Sequence, residues 1–146
     1  MTTTRSVLAP VDFSDASRGA LRYASVAANY LQAELVVLTV TDPLLTEAAE
    51  LSGQLEGLPD AISKELRRFS GKTFDGVVAP HTVRYELASG KPAVEILRIA
   101  KSTPTSLVVM STHGLTGVRK LFFGSTTWAR RTGTSSAVAN RPADIT

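Results

Sequence analysis

Apolar residues along the chain fall into short runs that predict buried β-strands. Residues 6–11 and 35–40 are almost wholly apolar and lack the alternation of a half-exposed strand. Such runs are typical of a parallel sheet that is covered on both faces. Residues 83–87 alternate apolar with charged positions and follow Pro80, which favours a strand near the edge of the sheet. Residues 107–110 predict a fourth strand.

Between these strands, apolar residues recur at the spacing of amphipathic helices. A first helix follows Ser14, a suitable N-cap residue. Glycines and prolines between residues 44 and 72 predict a short, loose helical piece and then a firmer helix from near Pro59. Further helices are predicted after Gly90 and after Gly124. The predicted buried faces contain Leu21, Ala24, Ala28, Leu31, Ile62, Leu66, Phe69, Ile96, Leu97 and Ala100, whereas Arg18, Arg22 and Gln32 are expected to face water.

The alternation of strands and helices predicts an α/β fold, a three-layer sandwich around a mostly parallel sheet. Such a sheet binds ligands at the carboxyl ends of its strands, beside the point where the strand order reverses. Asp12 ends the first predicted strand, Val40 ends the second, and Met110 and Ser111 end the fourth. We therefore expect these residues to share one edge of the sheet.

Residues 107–127 combine a strand, a glycine-bearing loop and the start of a helix. The loop glycines, Gly114 and Gly117, allow backbone N–H groups to approach a phosphate closely. The helix start at residues 124–126 adds unpaired donors and the positive end of the helix dipole. This order is typical of an anion site, but a long surface crossover with glycines for its turns explains the same residues. The stretch alone leaves both interpretations open.

Composition narrows the class of protein. With 146 residues, 43% hydrophobic and 20% charged, the chain is typical of one globular domain with a real core. A net charge of +3 without a run of Lys or Arg does not favour nucleic-acid binding. The absence of cysteine excludes disulfides, thiolate zinc sites and a cysteine nucleophile. No signal-like or membrane-spanning segment is evident, so we expect a cytoplasmic protein with no membrane partner.

Two common nucleotide motifs are not supported. Residues 70–73 match the end of a P-loop, but Leu66 stands where the signature needs glycine, and a helix precedes it instead of a strand. The turn at residues 12–17 has no glycine and so is not a dinucleotide fingerprint. Neither histidine is placed for a metal site, and His113 is expected to support its loop instead of performing catalysis.

Asp12 is the most informative polar residue, and two roles remain open for it. A structural carboxylate at this position would cap the helix that follows. A ligand-facing carboxylate would accept hydrogen bonds from ribose hydroxyls or hold a magnesium shell. Its expected proximity to the glycine loop favours the second role.

Several of these residues together resemble the universal stress protein family. They are Pro10-Val11-Asp12-Phe13-Ser14, Val40, Gly90-Lys91-Pro92-Ala93, Val109-Met110-Ser111-Thr112-His113-Gly114 and Gly124-Ser125. The resemblance covers about residues 6–125. Its most specific part is the loop pattern Gly-x2-Gly-x9-Gly-Ser/Thr of the ATP-binding members. The spacing is intact here, but Ser111 replaces the first glycine.

The resemblance implies a five-stranded parallel sheet in the order 3-2-1-4-5, with helices on both faces, as in the adenine nucleotide α-hydrolase-like fold. It also implies binding of ATP with magnesium and at most weak ATP hydrolysis. Asp12 and Val40 would face the adenosine, the loop and helix start would hold the phosphates, and the metal would have no protein ligand except Asp12. The implied nucleotide-binding residues are Pro10, Val11, Asp12, Val40, Met110, Ser111, His113, Gly114, Leu115, Thr116, Gly117, Gly124, Ser125 and Thr126.

Ser111 is the first departure from the family pattern. A glycine at this position can adopt positive φ and lets the backbone approach a phosphate without a Cβ. If the site requires left-handed backbone there, serine costs about 1 kcal/mol or more. With negative φ, serine is tolerated, and its hydroxyl could itself donate to a phosphate.

The second departure is the tail of residues 129–146. Arg130 and Arg131 stand where the family has apolar helix positions, and residues 137–139 are the material left for a weak fifth strand. The tail is therefore a short edge strand, a mobile segment or a segment exchanged with a partner. We expect one universal stress protein domain over residues 1–146.

We expect from this resemblance a nucleotide-responsive switch in a stress response, acting as a homodimer with an unidentified regulatory protein. A scaffold that has lost nucleotide affinity is one alternative, and a weak ATP hydrolase is another. An enzyme would need a catalytic group near the loop, for which Asp12, Arg119 and Lys120 are the candidates. No catalytic residue is predicted.

Overall fold

The computed structural model describes residues 5–77, 80 and 82–111, together with the backbone of residues 137–141. All of the strands pair in parallel, in the order β3-β2-β1-β4-β5, which confirms the predicted fold class and strand order. The elements are β1 (Ser6–Pro10), α1 (Asp15–Leu31), β2 (Glu34–Thr41), α2 (Pro43–Leu51), α3 (Leu58–Phe74), β3 (Val83–Ser89), α4 (Pro92–Ser102), β4 (Thr105–Ser111) and β5 (Ala137–Arg141).

The sheet is covered on both faces, as the unbroken apolar runs predict. Alternate strand residues pack against α1 and α3 on one face and against α4 on the other, since side chains of a strand alternate between its faces. The first cluster includes Val7, Ala9, Val11, Leu35, Val37 and Val109, and the second includes Leu8, Val36, Leu38, Val108 and Met110. Burying each of the larger side chains stabilises the fold by about 2 kcal/mol.

Strand β3 lies at one edge of the sheet, which confirms the interpretation of its alternating pattern. Its side chains are half-buried or exposed, and Arg84 forms ion pairs of 2.7 Å with Glu34 and Glu86. Charged side chains on an edge strand disfavour pairing with another chain.

Helix α1 begins as predicted. The Ser14 hydroxyl accepts a hydrogen bond of 3.1 Å from the Ser17 backbone N–H, and Asp15 lies in the first turn. The helix ends at Gln32, whose left-handed φ of 52° is common at a helix C-terminus. Arg18, which the helical pattern allowed to point to water, is half-buried, and its guanidinium lies 4.2 Å from the centre of the Phe69 ring.

The region after β2 divides into two helices, as its glycines and prolines predict. Asp42 caps the short helix α2 by accepting from the Leu44 N–H at 2.8 Å, and Gly53 adopts φ of 75° beyond its end. Helix α3 begins beside Pro59 and continues through residues 70–73. The match to a P-loop end therefore falls inside a helix, which confirms that it is not a P-loop. No helix of the described residues is both long enough and apolar enough to cross a bilayer.

Two buried hydroxyl residues on α3 have opposite surroundings, and this allows a matched test of stability. Ser70 is fully buried and its Oγ has no hydrogen-bond partner among the described residues. Thr73 is equally buried, but its hydroxyl donates to the Phe69 carbonyl at 2.7 Å and accepts from Arg18 at 3.0 Å. An unpaired buried hydroxyl is destabilising, whereas a paired one contributes to stability.

We expect Ser70→Ala to raise the free energy of unfolding by about 1 kcal/mol, because it removes an unpaired polar group and favours the helix. We expect Thr73→Val to lower it by about 1 kcal/mol, since the Arg18 guanidinium then loses an acceptor. Urea denaturation of both variants measures the two changes. A loss of stability in Ser70→Ala would contradict the assignment of an unpaired hydroxyl.

Candidate functional site

The strand order reverses at β1. From β1 the chain crosses through α1 to β2 on one side, whereas β4, on the other side, is reached from β3 through α4. Parallel α/β sheets bind ligands in the crevice at the carboxyl ends of the strands beside such a reversal. The carboxyl ends of β2, β1 and β4 are therefore the candidate site.

Strand register brings three of the predicted residues to one face of this edge. On one side, Pro10 of β1 pairs with Leu38 of β2. On the other side, Leu8 pairs with Val108 of β4, so two residues further along Pro10 lies level with Met110. Val40 lies two residues beyond Leu38. Val40 and Met110 pack in the cluster on the α4 side, and Pro10 has the same parity as Leu8 in that cluster. Three adjacent strands thus end in apolar residues on this face, of which Pro10 and Met110 are buried and Val40 is half-buried.

Val11 extends the sheet by one residue beyond β1. Its N–H donates to the Leu38 carbonyl at 2.8 Å, and its side chain is buried in the cluster on the α1 and α3 side. The N–H is thus used by the sheet, so a backbone contact from Val11 to a ligand would come through its carbonyl group.

Asp12 follows directly, and its hydrogen bonds connect the end of β1 to the start of α1. Its Oδ1 accepts hydrogen bonds from both the Ser14 N–H, at 3.1 Å, and the Ser14 hydroxyl, while its own N–H donates to Ser17 Oγ at 3.3 Å. Asp12 is not the N-cap of α1, because that position belongs to Ser14. It holds the cap residue through one oxygen, which leaves acceptor capacity on Oδ2 of a half-buried carboxylate.

Sequence reasoning missed the role of Phe13, the residue between Asp12 and Ser14. Its backbone is left-handed, with φ of 66°, and its ring contacts Phe69 edge-to-face with the centroids 5.5 Å apart. Arg18 also contacts the Phe69 ring, with its guanidinium over the ring face. No sequence spacing links residues 13, 18 and 69, since only the packing of α1 against α3 brings them together.

Gly90 forms the turn from β3 into α4, as the Gly90-Lys91-Pro92 motif predicts. Its φ is 140°, its N–H donates to the Thr41 carbonyl at 3.1 Å, and a Cβ here would lie 3.3 Å from Glu95 Cγ. Glycine is thus favoured both by its backbone conformation and by the space available. In the same helix, hydrogen bonds from Arg98 to Glu95 raise the pKa of Arg98 above its ordinary value.

At Ser111 the backbone conformation does not require glycine. Ser111 is the last residue of β4 and is paired in register with Arg141. Among the non-glycine residues in the described part of the chain, positive φ occurs at Phe13 and Gln32 and not at Ser111. The conformational cost considered for serine at this position therefore does not arise. Its side chain is buried.

The remaining predicted residues lie outside the described part of the chain. They are His113, Gly114, Leu115, Thr116, Gly117, Gly124, Ser125 and Thr126, together with the loop cations Arg119 and Lys120. Within residues 5–77, 80 and 82–111, no three His, Asp or Glu side chains are grouped so that they could hold a metal ion.

Comparison with known proteins agrees with the fold and the motifs. The sequence profile of the Universal stress protein family matches residues 3–130. Universal stress protein YxiE of Bacillus subtilis is 32% identical over 127 residues, covering 82% of this chain and 86% of the relative.

Solved structures of universal stress proteins have the same fold as this chain. Universal stress protein UspA from Lactobacillus plantarum superposes with a TM-score of 0.64 at 26% identity, covering 96% of this chain and 99% of that one. A universal stress protein crystallised in complex with cAMP superposes with a TM-score of 0.57 at 17% identity, covering 95% and 97% of the two chains. The strand order, the family profile and the sequence relatives agree, and the chain belongs to the universal stress protein family.

Proposed function

We propose that this chain binds an adenine nucleotide, ATP with magnesium in the first instance, at the carboxyl edge of β2, β1 and β4. Binding would serve as a regulatory switch and not as efficient catalysis. The observation that carries the proposal is the Asp12 carboxylate. It is held at the strand reversal by two donors from Ser14, with acceptor capacity left on its second oxygen.

A nucleoside fits the chemistry of this edge. Ribose hydroxyls are donors, and Asp12 Oδ2 is an acceptor of the matching kind. At the end of β2, Val40 is half-buried, and the buried Pro10 and Met110 end the neighbouring strands with the same parity. This apolar environment suits the flat, weakly polar adenine.

The charges at the start of α1 favour one orientation of the bound nucleotide. Helix N-termini commonly bind phosphate, but the N-terminus of α1 carries the carboxylates of Asp12 and Asp15. These would repel a triphosphate, so the proposal puts the sugar and base beside Asp12. The phosphates would then lie toward Gly114, Gly117 and the residues after Gly124, as the family pattern implies.

The further parts of the proposal follow from the family resemblance. Magnesium would enter with the triphosphate, and Asp12 is the one candidate for a protein contribution to its shell. The protein would be cytoplasmic and homodimeric and would signal to a regulatory protein partner. A scaffold without nucleotide affinity and a weak ATP hydrolase are the alternatives that the experiments below must separate from it.

A second candidate ligand is cAMP. A structural relative has been crystallised with it, and cAMP carries the same adenine with a smaller phosphate group. It retains the ribose 2′-hydroxyl while its 3′-oxygen is closed into the phosphate ring. A nucleotide that contacts Asp12 through the 2′-hydroxyl alone would therefore bind in either form.

We expect Mg-ATP to stabilise the folded protein, because a ligand that binds only the folded state shifts unfolding by mass action. At one hundred times its Kd the gain is about 2.7 kcal/mol. Thermal melting with millimolar Mg-ATP, cAMP and Mg-GTP measures the gain and the base preference. Equal stabilisation by Mg-ATP and Mg-GTP would contradict an adenine site, and no shift with any of the three would favour the scaffold. Steady phosphate release that Asp12→Ala abolishes would favour the hydrolase.

A second prediction isolates the ribose contact. We expect Asp12→Asn to weaken ATP binding about tenfold, the loss of one charge-assisted hydrogen bond, while the remaining carbonyl oxygen still accepts from Ser14. For the same reason, 2′-deoxy-ATP should bind the natural protein more weakly than ATP and should bind Asp12→Asn about as well as ATP does. Calorimetric titration of the two proteins with each of the two nucleotides gives the coupling energy between the Asp12 carboxylate and the ribose 2′-hydroxyl. A deoxy effect of equal size in both proteins would show that Asp12 does not touch the 2′-hydroxyl.

A further inference from the structure

We propose that Phe13 is a positioning residue for Asp12 and that it is held in place from α3. The unit consists of Phe13, Phe69 and Arg18, which we call the aromatic clamp. This inference rests on the proposed nucleotide site, because it assigns the residues that keep the Asp12 carboxylate in its binding position. It also makes α3 part of that site, although α3 does not reach the edge through any predicted ligand contact.

The backbone of Phe13 needs an external constraint. A left-handed conformation is unfavourable for a bulky residue, whereas glycine adopts it freely. At Gln32, the other described non-glycine residue with positive φ, the end of α1 accounts for the conformation. Phe13 is not at a helix end of that kind, so tertiary contacts must supply the compensation.

The contacts of the Phe13 ring supply it. The ring meets Phe69 at an interplanar angle of 90° with 5.5 Å between centroids, a favourable edge-to-face geometry. Phe69 is nearly fully buried, whereas Phe13 remains 37% exposed. The fixed partner in this pair is therefore the residue on α3.

Arg18 fixes Phe69 in turn. Its guanidinium lies 4.2 Å from the Phe69 centroid, within the range of a cation–π contact. One of its nitrogens donates to Thr73 Oγ1 at 3.0 Å and to the Phe69 carbonyl at 3.4 Å. Arg18 therefore ties the first turn of α1 to the last turns of α3, with Phe69 between them.

The clamp acts on Asp12 through a single residue of backbone. The left-handed turn at Phe13 returns the chain so that the N–H and hydroxyl of Ser14 both reach Asp12 Oδ1. If Phe13 relaxed to negative φ, the chain would leave in another direction and both donors would separate from the carboxylate. The orientation of Asp12 thus depends on the contact between Phe13 and Phe69.

The test uses Phe69→Leu, which keeps an apolar side chain in the core but removes the ring that Phe13 and Arg18 contact. Its matched control is Tyr85→Leu, which removes another aromatic ring contacted from α3, with Arg67 at 4.6 Å, on strand β3 away from Asp12. Two quantities are measured: the Kd of Mg-ATP, and the hydrogen-exchange rate of the Ser14 amide without nucleotide. Phe13→Tyr, which keeps the ring, serves as the conservative variant.

We expect Phe69→Leu to weaken Mg-ATP binding about tenfold and to accelerate exchange of the Ser14 amide by a similar factor. Tyr85→Leu should change neither quantity. Phe13→Tyr should keep the slow exchange of the Ser14 amide, because its ring still contacts Phe69. In an Asp12→Asn background, Phe69→Leu should cost little further affinity, because the clamp acts through the Asp12 carboxylate. An equal loss in both backgrounds, or an unchanged Ser14 amide, overturns the proposal.

The two proposals fail in different ways. If the natural protein binds no adenine nucleotide, the proposed function is overturned. The hydrogen-exchange rate of the Ser14 amide still tests whether the aromatic clamp positions Asp12. Faster exchange in Phe69→Leu than in Tyr85→Leu supports the positioning of Asp12 from α3. Equal exchange in the two variants overturns it. If Phe69→Leu does not fold, Arg18→Met replaces it. This change removes the cation above the Phe69 ring, and it does so at a half-buried residue of α1 and not in the core.

Discussion

The structure depends above all on β1, which pairs with a parallel strand on each edge and is buried on both faces. All five of its residues are buried, and its neighbours β2 and β4 continue the same two apolar clusters. A strand in this position pairs its backbone N–H and C=O groups with its two neighbours, so its backbone groups are left unpaired only at its ends. Because the strand order reverses at β1, its carboxyl end is also the expected ligand crevice.

At that end the chain leaves the sheet and must begin a helix within a few residues. One compact network meets this requirement. The Ser14 hydroxyl accepts from Ser17 to cap α1 and donates to Asp12 Oδ1, so the cap and the candidate ligand carboxylate are parts of the same arrangement. The structural role of Asp12 is therefore compatible with the proposed ligand role, because the bonds from Ser14 use Oδ1 alone. The aromatic contact between Phe13 and Phe69 extends this arrangement into the core beneath α3.

Ser111 shows that the local backbone conformation determines whether replacing a motif glycine causes strain. A glycine in a motif is difficult to replace where its φ is positive or where another group approaches its Cα closely. It is replaceable where the backbone is extended. Gly90 meets both conditions, with φ of 140° and Glu95 close to where a Cβ would lie. Ser111 ends an extended strand, so the replacement of glycine there introduces no conformational strain.

The sequence by itself determined the fold class, the edge position of β3, the cap at Ser14 and the family. These properties depend on local patterns: unbroken apolar runs for strands buried on both faces, alternation for an edge, and a hydroxyl before an apolar helical face. The same patterns predicted that Asp12, Val40, Met110 and Ser111 share one edge, because parallel strands align their carboxyl ends. Only the tertiary structure decided the surroundings of Asp12 and the position of Arg18. Residues 13, 18 and 69 have no common period, and they meet only because α1 and α3 pack side by side on one face of the sheet. The bonds from Ser14 to Asp12 Oδ1 likewise accompany the left-handed turn at Phe13, a conformation that sequence pattern alone assigns to glycine.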